Sequence, residues 1–294
     1  MFERLKAKIL FHKLLYRPDI NKAYAMVGPE DSWYKTISTV HESLAKIREL
    51  PHEVLQIKSH DGLKLEGIYY PNGSTKTMIW VHGYTSHAER ESAFPGLFYR
   101  SLGFNVLIPY LRAHGRSEGK YISLGALEHL DMIRWVDKVN ELHPDGQIVL
   151  HGLSMGGGIV LDLASKEMKN VKCLVSDAPT DSIAGCLFGM TKYVFKKSAD
   201  RIYPHVLRRF SEEFSADPKA FDRTATVSGG RYPLLLSAGS NEKMEGFFTA
   251  AGKANPQPTH TVILPGCDHG NGMYKQTQLY QEAIRDFINR YLEN

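Results

Sequence analysis

A short apolar stretch leads into a glycine-rich turn at residues 148–158, which read IVLHGLSMGGG. Its first half is typical of a buried β-strand, and the residues after the turn follow a helical pattern. Between them, Ser154 stands in a Gly-x-Ser-x-Gly pattern with Gly152 and Gly156, which in a strand-turn-helix context is typical of a nucleophile elbow. Glycines at these positions let strand and helix pass closely around a strained serine. We therefore predict that Ser154 is a nucleophile; a glycine-rich helix start capped by a serine is the alternative.

Outward from this turn, short β-branched runs alternate with longer amphipathic ones. The pattern predicts strands at residues 53–59, 63–70, 77–81, 105–109, 147–151, 171–176, 233–237 and 261–264, and helices at residues 87–102, 124–142, 155–169, 242–253 and 276–292. Strands that are apolar on both faces and separated by helices indicate the α/β class, with a mostly parallel, doubly wound sheet between two layers of helices. The first two strands flank Asp61-Gly62, a hairpin signal that predicts an antiparallel edge.

Two stretches interrupt this alternation and divide the 294 residues into three parts. Residues 1–50 are expected to form a mainly helical extension that precedes the sheet. Residues 178–231 are too many for an unstructured loop in a compact domain, so they predict a small helical insertion that forms a lid over one edge of the sheet. Residues 51–177 and 232–294 are expected to form the α/β core.

The composition excludes several classes of protein. Apolar residues make up 43% of the chain and charged residues 23%, a balance that excludes a disordered or fibrous protein. The 36 basic and 32 acidic residues give a net charge of +4, which is too small to indicate nucleic acid or an anionic membrane as a partner. The sequence has no zinc-protease, phosphate-loop or dinucleotide-binding motif, so neither a metal nor another cofactor is expected.

The cysteines and the apolar runs bear on location. The three cysteines cannot all pair within one chain, which favours a reducing compartment. No apolar run reaches the roughly 20 residues that span a bilayer, so we expect a cytoplasmic protein without integral membrane association. Phe2, Leu5 and Ile9 lie on one face of a predicted helix. Such a stripe usually docks onto its own domain, and contact with a membrane surface is the alternative.

Three segments together resemble the α/β-hydrolase superfamily, in particular the bacterial serine esterases and the lipase-like or aminopeptidase-like hydrolases. They are the elbow, the predicted strand that ends in His82-Gly83, and the loop YLRAHGRSEG at residues 110–119. This loop is similar to the family pattern D-x-R-G-H-G-x-S-x-G, with Tyr110 in place of Asp and Ala113 in place of Gly. The resemblance covers the chain from about residue 53 onwards and implies the α/β-hydrolase fold.

The resemblance also implies a catalytic base and an acid, because the chain order in this family is nucleophile, acid, histidine. His269 is the expected base, since it lies in a glycine-flanked loop just after the last predicted strand. The family places a carboxylate after the preceding strand, where this chain has Glu242. Asp177, after the strand that follows the elbow helix, is the main alternative acid, and Asp268 is a further one.

An oxyanion hole and a substrate pocket are expected around these side chains. The resemblance implies that the backbone N–H groups of Tyr84 and Met155 form the oxyanion hole. Leu187 and Phe188 of the insertion are expected to line an apolar substrate wall, together with His87 beside the oxyanion loop. Packing inside the insertion itself is the alternative for the first two.

These residues predict a serine hydrolase that cleaves a small-molecule carboxylic ester through an acyl-enzyme on Ser154. A peptidase, of the aminopeptidase-like kind, or a thioesterase with the same triad is the first alternative. The alternative from another class is a non-catalytic binding protein on a hydrolase scaffold, since a fold alone does not establish function. The sequence is compatible with a homodimer and does not determine the oligomeric state.

Overall fold

Eight β-strands pair into one sheet within residues 2–19, 31 and 33–292, the part of the chain that this computed structural model describes. The strands are β1 (Glu53–Lys58), β2 (Lys64–Tyr70), β3 (Lys76–Val81), β4 (Asn105–Pro109), β5 (Gln147–Leu153), β6 (Val171–Asp177), β7 (Leu234–Gly239) and β8 (Thr259–Leu264). They lie side by side in the order β1-β2-β4-β3-β5-β6-β7-β8. Each predicted strand is present, with its ends within two residues of the prediction.

The first two strands form an antiparallel edge. β1 pairs antiparallel with β2 and β2 with β4, whereas the other neighbouring strands are parallel. Gly62, in the turn between β1 and β2, has a φ of +89°, a conformation that glycine adopts without steric cost. The predicted mostly parallel sheet with an antiparallel edge is thereby confirmed.

Helices cover both faces of this sheet. Ile79 and Trp80 of β3 point to opposite faces, as successive residues of a strand do, and each lies in a separate buried cluster. The cluster around Trp80 includes residues of the helices α2, α3, α10 and α11. The cluster around Ile79 includes residues of α4, α5 and α9. None of the described helices is long and apolar enough to cross a membrane. The helices are α1 (Phe2–Leu15), α2 (Ile37–Arg48), α3 (Ala88–Ser101), α4 (Glu128–Leu142), α5 (Met155–Asp162), α6 (Ile183–Phe195), α7 (Ala199–Phe214), α8 (Arg223–Val227), α9 (Glu245–Ala254), α10 (Gly272–Lys275) and α11 (Thr277–Tyr291).

The two N-terminal helices dock on different parts of the protein. Phe11 of α1 packs against Phe214 of α7. Ile47 of α2 is buried in the cluster beside α3, and Arg48 forms an ion pair with α3. Residues 178–231, the predicted insertion, contain α6, α7 and α8. Thus α1 rests on the insertion segment, while α2 rests on α3, in the helical layer on the Trp80 side of the sheet.

A buried arginine ties the insertion segment to the helix that follows Ser154. Arg223 of α8 is 0% exposed, and its guanidinium donates to Asp162 Oδ2 of α5 at 3.0 Å, to Thr180 Oγ1 at 2.8 Å and to Gly158 O at 3.2 Å. Asp162 is buried as well, and that burial raises the pKa of its carboxyl group. Arg223 therefore neutralises a charge that has little access to water.

We expect Arg223→Met to lower the free energy of unfolding by about 3–5 kcal/mol, because it leaves the Asp162 carboxylate buried without its partner. Urea unfolding followed by circular dichroism measures this change. Arg208→Met is the matched control, since Arg208 pairs with Glu212 on the exposed side of α7 and such pairs contribute about 0.3–0.5 kcal/mol. Equal losses in the two variants would contradict a special role for the buried pair.

Candidate functional site

Ser154 lies in a tight turn between β5 and α5. Its backbone dihedrals, φ +60° and ψ −115°, fall in a region that residues with a side chain rarely adopt. Its N–H group donates to Asp177 O at 2.8 Å, which fixes the turn against the end of β6. The surrounding structure therefore holds a strained serine at the carboxyl end of the central strand.

Two glycines make this turn sterically possible. A Cβ atom on Gly152 would lie 2.2 Å from Gly156 O. A Cβ atom on Gly156 would lie 1.8 Å from Val81 O at the end of β3. Both distances are far shorter than van der Waals contact, and the atoms involved belong to the backbone. Only glycine fits at either position, which explains the Gly-x-Ser-x-Gly spacing in steric terms.

The imidazole of His269 joins Ser154 to Glu242. His269 lies in the loop after β8, and its Nε2 is 2.8 Å from Ser154 Oγ. Its Nδ1 is 2.5 Å from Glu242 Oε2. An ionised carboxylate only accepts hydrogen bonds, so Nδ1 carries the proton and Nε2 accepts from the serine hydroxyl. Side chains from the loops after β5, β7 and β8 thus form one continuous hydrogen-bonded chain.

The backbone holds Glu242 in this position. Glu242 ends the 3₁₀ turn Ser240–Glu242 that follows β7, and its Oε1 accepts from Gly239 N–H at 2.9 Å. Its other oxygen remains for His269. The hydrogen bond that His269 donates to Glu242 raises the pKa of His269 above its ordinary value, while burial opposes that effect. The carboxylate therefore favours the protonated imidazolium.

The other two candidate acids have different partners. Asp177, at the end of β6, is buried and accepts hydrogen bonds from the hydroxyls of Ser237 and Tyr280 at 2.9 and 3.0 Å. Burial raises its pKa to about 6. The carboxylate of Asp268 accepts from Asn241 Nδ2 at 2.8 Å. Of the three candidates, the glutamate after β7 is the one that the structure places against the imidazole.

Behind the turn lies a buried polar chain that sequence reasoning missed. Tyr280 donates its proton to Asp177, so its oxygen accepts from His151 Nε2 at 3.0 Å. His151 Nδ1 in turn accepts from the Tyr99 hydroxyl at 3.2 Å. Burial lowers the pKa of His151 to about 3, which keeps the ring neutral. A histidine inside the apolar strand before the serine is the sequence signal for this chain.

The loop after β3 lies next to Ser154. A Cβ atom on Gly83 would lie 3.5 Å from Ser154 Cβ. The neighbouring His82 accepts from Leu111 N–H at its Nε2 (3.1 Å) and therefore donates from Nδ1 to Gly83 O (2.9 Å). Burial lowers the pKa of His82 well below its ordinary value. His82 is thus a neutral brace that fixes the loop beside the serine.

Both predicted oxyanion residues flank Ser154. Met155 is the first residue of α5, a position whose N–H group has no partner inside the helix. Tyr84 follows Gly83 and lines the same cavity as Ser154. Glu91 of α3, which the sequence analysis did not single out, accepts from Gly83 N–H at 3.0 Å and anchors this loop. Burial raises the pKa of Glu91 to about 7.

A cavity of about 660 Å³ adjoins Ser154 and His269. Much of its apolar lining comes from the segment that precedes β1, where Trp33, Ile37 and Val40 contribute side chains. This segment includes the first turns of α2, so the N-terminal part of the chain, and not only the core, shapes the space above the serine.

Trp33 fixes this segment at the site. Its ring centroid lies 5.7 Å from that of Tyr274, edge to face. A Cβ atom on Gly270, the residue after His269, would lie 3.3 Å from the Trp33 ring. The indole therefore packs directly against the loop that carries the imidazole.

The structure does not bring the three predicted substrate contacts to this cavity. Leu187 is buried in the core, and Phe188 packs edge to face on Tyr203 with ring centroids 5.1 Å apart. His87 caps the N-terminus of α3 and lines a separate, smaller cavity. None of the described residues that line the main cavity belongs to residues 178–231. The apolar pattern of α6 identifies a helix with a buried face, but it does not report what that face packs against.

One cluster has the composition of a metal site. Donor atoms of His60, Asp61 and Asp131 lie within 4.8 Å of one another. The guanidinium of Arg112 occupies this cluster, since it donates to Asp131 Oδ2 at 2.6 Å and to Asp61 Oδ2 at 2.9 Å. A metal cation there would meet the arginine charge, so the cluster is an ion-pair network that braces residues 110–119.

Curated relatives match part of the chain. The uncharacterised protein YqkD of Bacillus subtilis is 30% identical over 161 residues, which are 54% of this chain and 50% of that protein. An uncharacterised membrane protein of Saccharomyces cerevisiae, YNL320W, is 29% identical over 127 residues, 43% of this chain and 45% of that protein. The mouse monoglyceride lipase is 31% identical over 123 residues, 40% of this chain and 39% of the lipase. The chain thus matches about half the length, or less, of these relatives.

Solved structures match over more of the chain. The esterase Pf2001 of Pyrococcus furiosus has a TM-score of 0.67 and 26% identity, and the match covers 84% of this chain and 94% of the esterase. Est1E of Butyrivibrio proteoclasticus, solved with ferulic acid, has a TM-score of 0.63 and 21% identity over 81% of this chain and 98% of its own, which supports the fold alone. The family model described as alpha/beta hydrolase fold matches residues 76–275. This chain therefore belongs to the α/β-hydrolase fold family.

Proposed function

We propose that this chain is a serine hydrolase that cleaves carboxylic esters. The observation that carries the proposal is the continuous hydrogen-bonded chain from Ser154 through His269 to Glu242. A hydroxyl, an imidazole and a carboxylate in this order supply a nucleophile, a general base and an orienting acid. The similarity to proteins named as an esterase and a lipase supports the same reaction class.

In the first half-reaction, Ser154 Oγ attacks the ester carbonyl carbon while His269 Nε2 takes the hydroxyl proton. Glu242 keeps the other ring proton on Nδ1 and stabilises the imidazolium that forms. The negative charge on the carbonyl oxygen is stabilised by the N–H groups of Tyr84 and Met155, each contributing about 2.7–4 kcal/mol. The imidazolium then protonates the leaving alcohol, and the acyl group remains on the serine.

Water completes the cycle. His269 removes a proton from water, and the resulting hydroxide attacks the acyl-enzyme carbonyl while the same two N–H groups stabilise the oxyanion. The serine oxygen leaves with the proton from the imidazolium, and the carboxylic acid is released.

The cavity favours an acyl or aryl group of modest size. Its volume of about 660 Å³ lies in the range of small-molecule sites. Trp33, Ile37 and Val40 contribute apolar residues to its lining. We therefore expect the acyl portion of the ester to lie along α2.

We expect Val40→Trp to shift the preference for acyl-chain length, because the larger ring fills the cavity beside α2. The kcat/KM for a p-nitrophenyl ester of a long acyl chain should fall by about 10-fold or more relative to p-nitrophenyl acetate, the scale of a steric mismatch in an apolar pocket. Glu42→Trp on the exposed side of the same helix is the control. An unchanged chain-length profile in Val40→Trp would place the acyl group elsewhere.

A fluorophosphonate probe tests the proposal without a known substrate, since it labels an activated serine. We expect labelling of the native protein, with Ser154 as the modified residue in peptide mass spectrometry. A folded but unlabelled protein would support a binding role. A panel of esters, thioesters and aminoacyl amides, compared by kcat/KM, then tests the bond type; a preference for amides or thioesters would overturn the ester assignment.

A further inference from the structure

Helix α1 carries apolar side chains on two different faces. One face is buried against the rest of the protein through Ala7, Leu10, Phe11 and Leu15. Three large apolar side chains lie on another face and remain 55–66% exposed; they are Phe2, Leu5 and Ile9. The stripe that the sequence analysis expected to dock on its own domain therefore lies at the surface, because the helix docks through different residues.

The end of α6 carries two further exposed apolar side chains, next in sequence to a residue that lies near α1. Tyr193 is 87% exposed and Val194 43% exposed. Lys6 Nζ lies 4.4 Å from the Phe2 ring centroid and 5.8 Å from that of Phe195, so it bridges the two helices. We call the five exposed apolar residues of α1 and α6 the α1–α6 patch; they are Phe2, Leu5, Ile9, Tyr193 and Val194.

Positive charge is concentrated around the α1–α6 patch. Helix α1 carries four basic residues, Arg4, Lys6, Lys8 and Lys13, against the single acid Glu3. Residues 192–201 carry four more, Lys192, Lys196, Lys197 and Arg201, against Asp200. These two short segments thus have a net charge of +6, whereas the whole chain has +4. The remainder of the protein is on balance acidic, so the charge of this surface is local.

We propose that the α1–α6 patch docks on an anionic lipid surface. Apolar side chains on a helix face flanked by lysines are the pattern of peripheral membrane binding, in which the apolar residues enter the headgroup boundary and the cations meet anionic lipids. A second copy of this chain is the competing occupant, but stacking two such patches would bring like charges together. Charge complementarity therefore selects the lipid. This inference does not depend on the proposed hydrolase activity.

Helix α1 also contacts a residue that lines the cavity. The hydroxyl of Tyr84, which lines the cavity beside Ser154, donates a hydrogen bond to Leu14 O near the end of α1. Fourteen residues of helix span about 21 Å at the usual rise per residue. The patch at one end of α1 and the cavity near its other end are therefore connected by a single rigid element.

Co-sedimentation of the full chain with vesicles tests the proposal. We expect binding to vesicles of phosphatidylcholine with phosphatidylglycerol to exceed binding to phosphatidylcholine alone by about tenfold or more. That binding should fall steeply between about 0.1 M and about 1 M salt, where the screening length shortens from about 10 Å to about 3 Å. Equal binding to both vesicle types, or none to either, would overturn the proposal.

Paired variants separate the contribution of apolar surface to vesicle binding from that of positive charge. Leu5→Ser with Ile9→Ser removes apolar surface, and Lys196→Gln with Lys197→Gln removes charge; each pair should lower binding to anionic vesicles by about tenfold. The controls are Leu142→Ser with Leu279→Ser and Lys46→Gln with Lys253→Gln, which alter exposed residues outside the patch. Thermal unfolding by circular dichroism confirms that each variant folds.

Sedimentation equilibrium without lipid tests the competing occupant. A dimer that Leu5→Ser with Ile9→Ser dissociates, together with absence of vesicle binding by the native chain, would assign the patch to a second copy and overturn the lipid proposal. A protein whose oligomeric state is the same with and without these substitutions, and which binds anionic vesicles, would support it.

Discussion

The Ser154→Ala variant is expected to lose ester hydrolysis almost entirely, with kcat for p-nitrophenyl acetate falling by about 10⁶-fold. The loss follows from the mechanism, because among the described residues Ser154 supplies the hydroxyl oxygen that lies 2.8 Å from His269 Nε2. The strained turn should persist, since alanine fits wherever the serine backbone does and the Ser154 N–H bond to Asp177 O is a backbone contact. Steady-state assays at high enzyme concentration measure the residual rate.

Ser182→Ala serves as the matched control for this loss. Ser182 caps α6 through its hydroxyl and does not line the cavity, so its replacement should leave kcat within a factor of about two while lowering stability by about 1 kcal/mol. Turnover in purified Ser154→Ala within about tenfold of the native rate would reject Ser154 as the nucleophile.

The Glu242→Gln variant is expected to lower kcat by about 10⁴-fold, because a neutral amide neither selects the imidazole tautomer nor stabilises the imidazolium. Asp177→Asn is the matched comparison. Asp177 has the same charge but bonds to hydroxyl groups and not to the imidazole, so we expect its replacement to lower kcat by less than about tenfold. The reverse order of effects would assign the orienting role to Asp177.

The pH dependence of kcat/KM provides an independent measure of the same contact. The base must be unprotonated to act, so activity rises with pH through the pKa of His269. The hydrogen bond to Glu242 raises that pKa, which places the acidic limb of the native profile above the ordinary histidine value of about 6.5. In Glu242→Gln this limb should move to lower pH. A limb that stays in place would show that another group titrates there.

The same shift has a consequence for stability. The pKa of His269 is higher in the folded state than in the unfolded state, where it is about 6.5. Protonated His269 therefore stabilises the fold fully below a pH of about 6.5, and this stabilisation is lost as the pH rises through the pKa of the folded state. Glu242→Gln should therefore reduce stability more at pH 5 than at pH 9, since the imidazolium and its partner carboxylate exist together only at the lower pH.

Local patterns were sufficient for the sheet and for the main contacts around the serine. The elbow is recognisable in the sequence because its geometry requires glycine at two positions, Gly152 and Gly156. The parallel order of the strands is recognisable because burial on both faces requires continuous apolar runs. His269 and Glu242 are predicted from the resemblance to the α/β-hydrolases, which implies the chain order nucleophile, acid, histidine and a place for each residue after a predicted strand.

Local sequence patterns do not predict contacts between segments that are far apart in the chain. Leu187 and Phe188 were expected at the cavity because they are apolar and lie in the insertion, yet their helix packs against its own neighbours. The wall around Trp33 and Val40 depends on where a segment more than 100 residues before the serine docks, which no local period encodes. The chain through His151 is likewise built from residues that are remote in sequence and meet only in the fold.

The origin of the cavity wall bears on how this protein can be altered. Since the segment before β1 shapes the space beside the serine, and residues 178–231 instead support α1, the two segments govern separate properties. A chimera that receives the insertion of a relative but retains Arg223, the partner of Asp162 in α5, should keep its chain-length profile and change the platform beneath the first helix. A chimera that receives the segment around α2 from a relative should change its chain-length profile and keep the platform beneath the first helix.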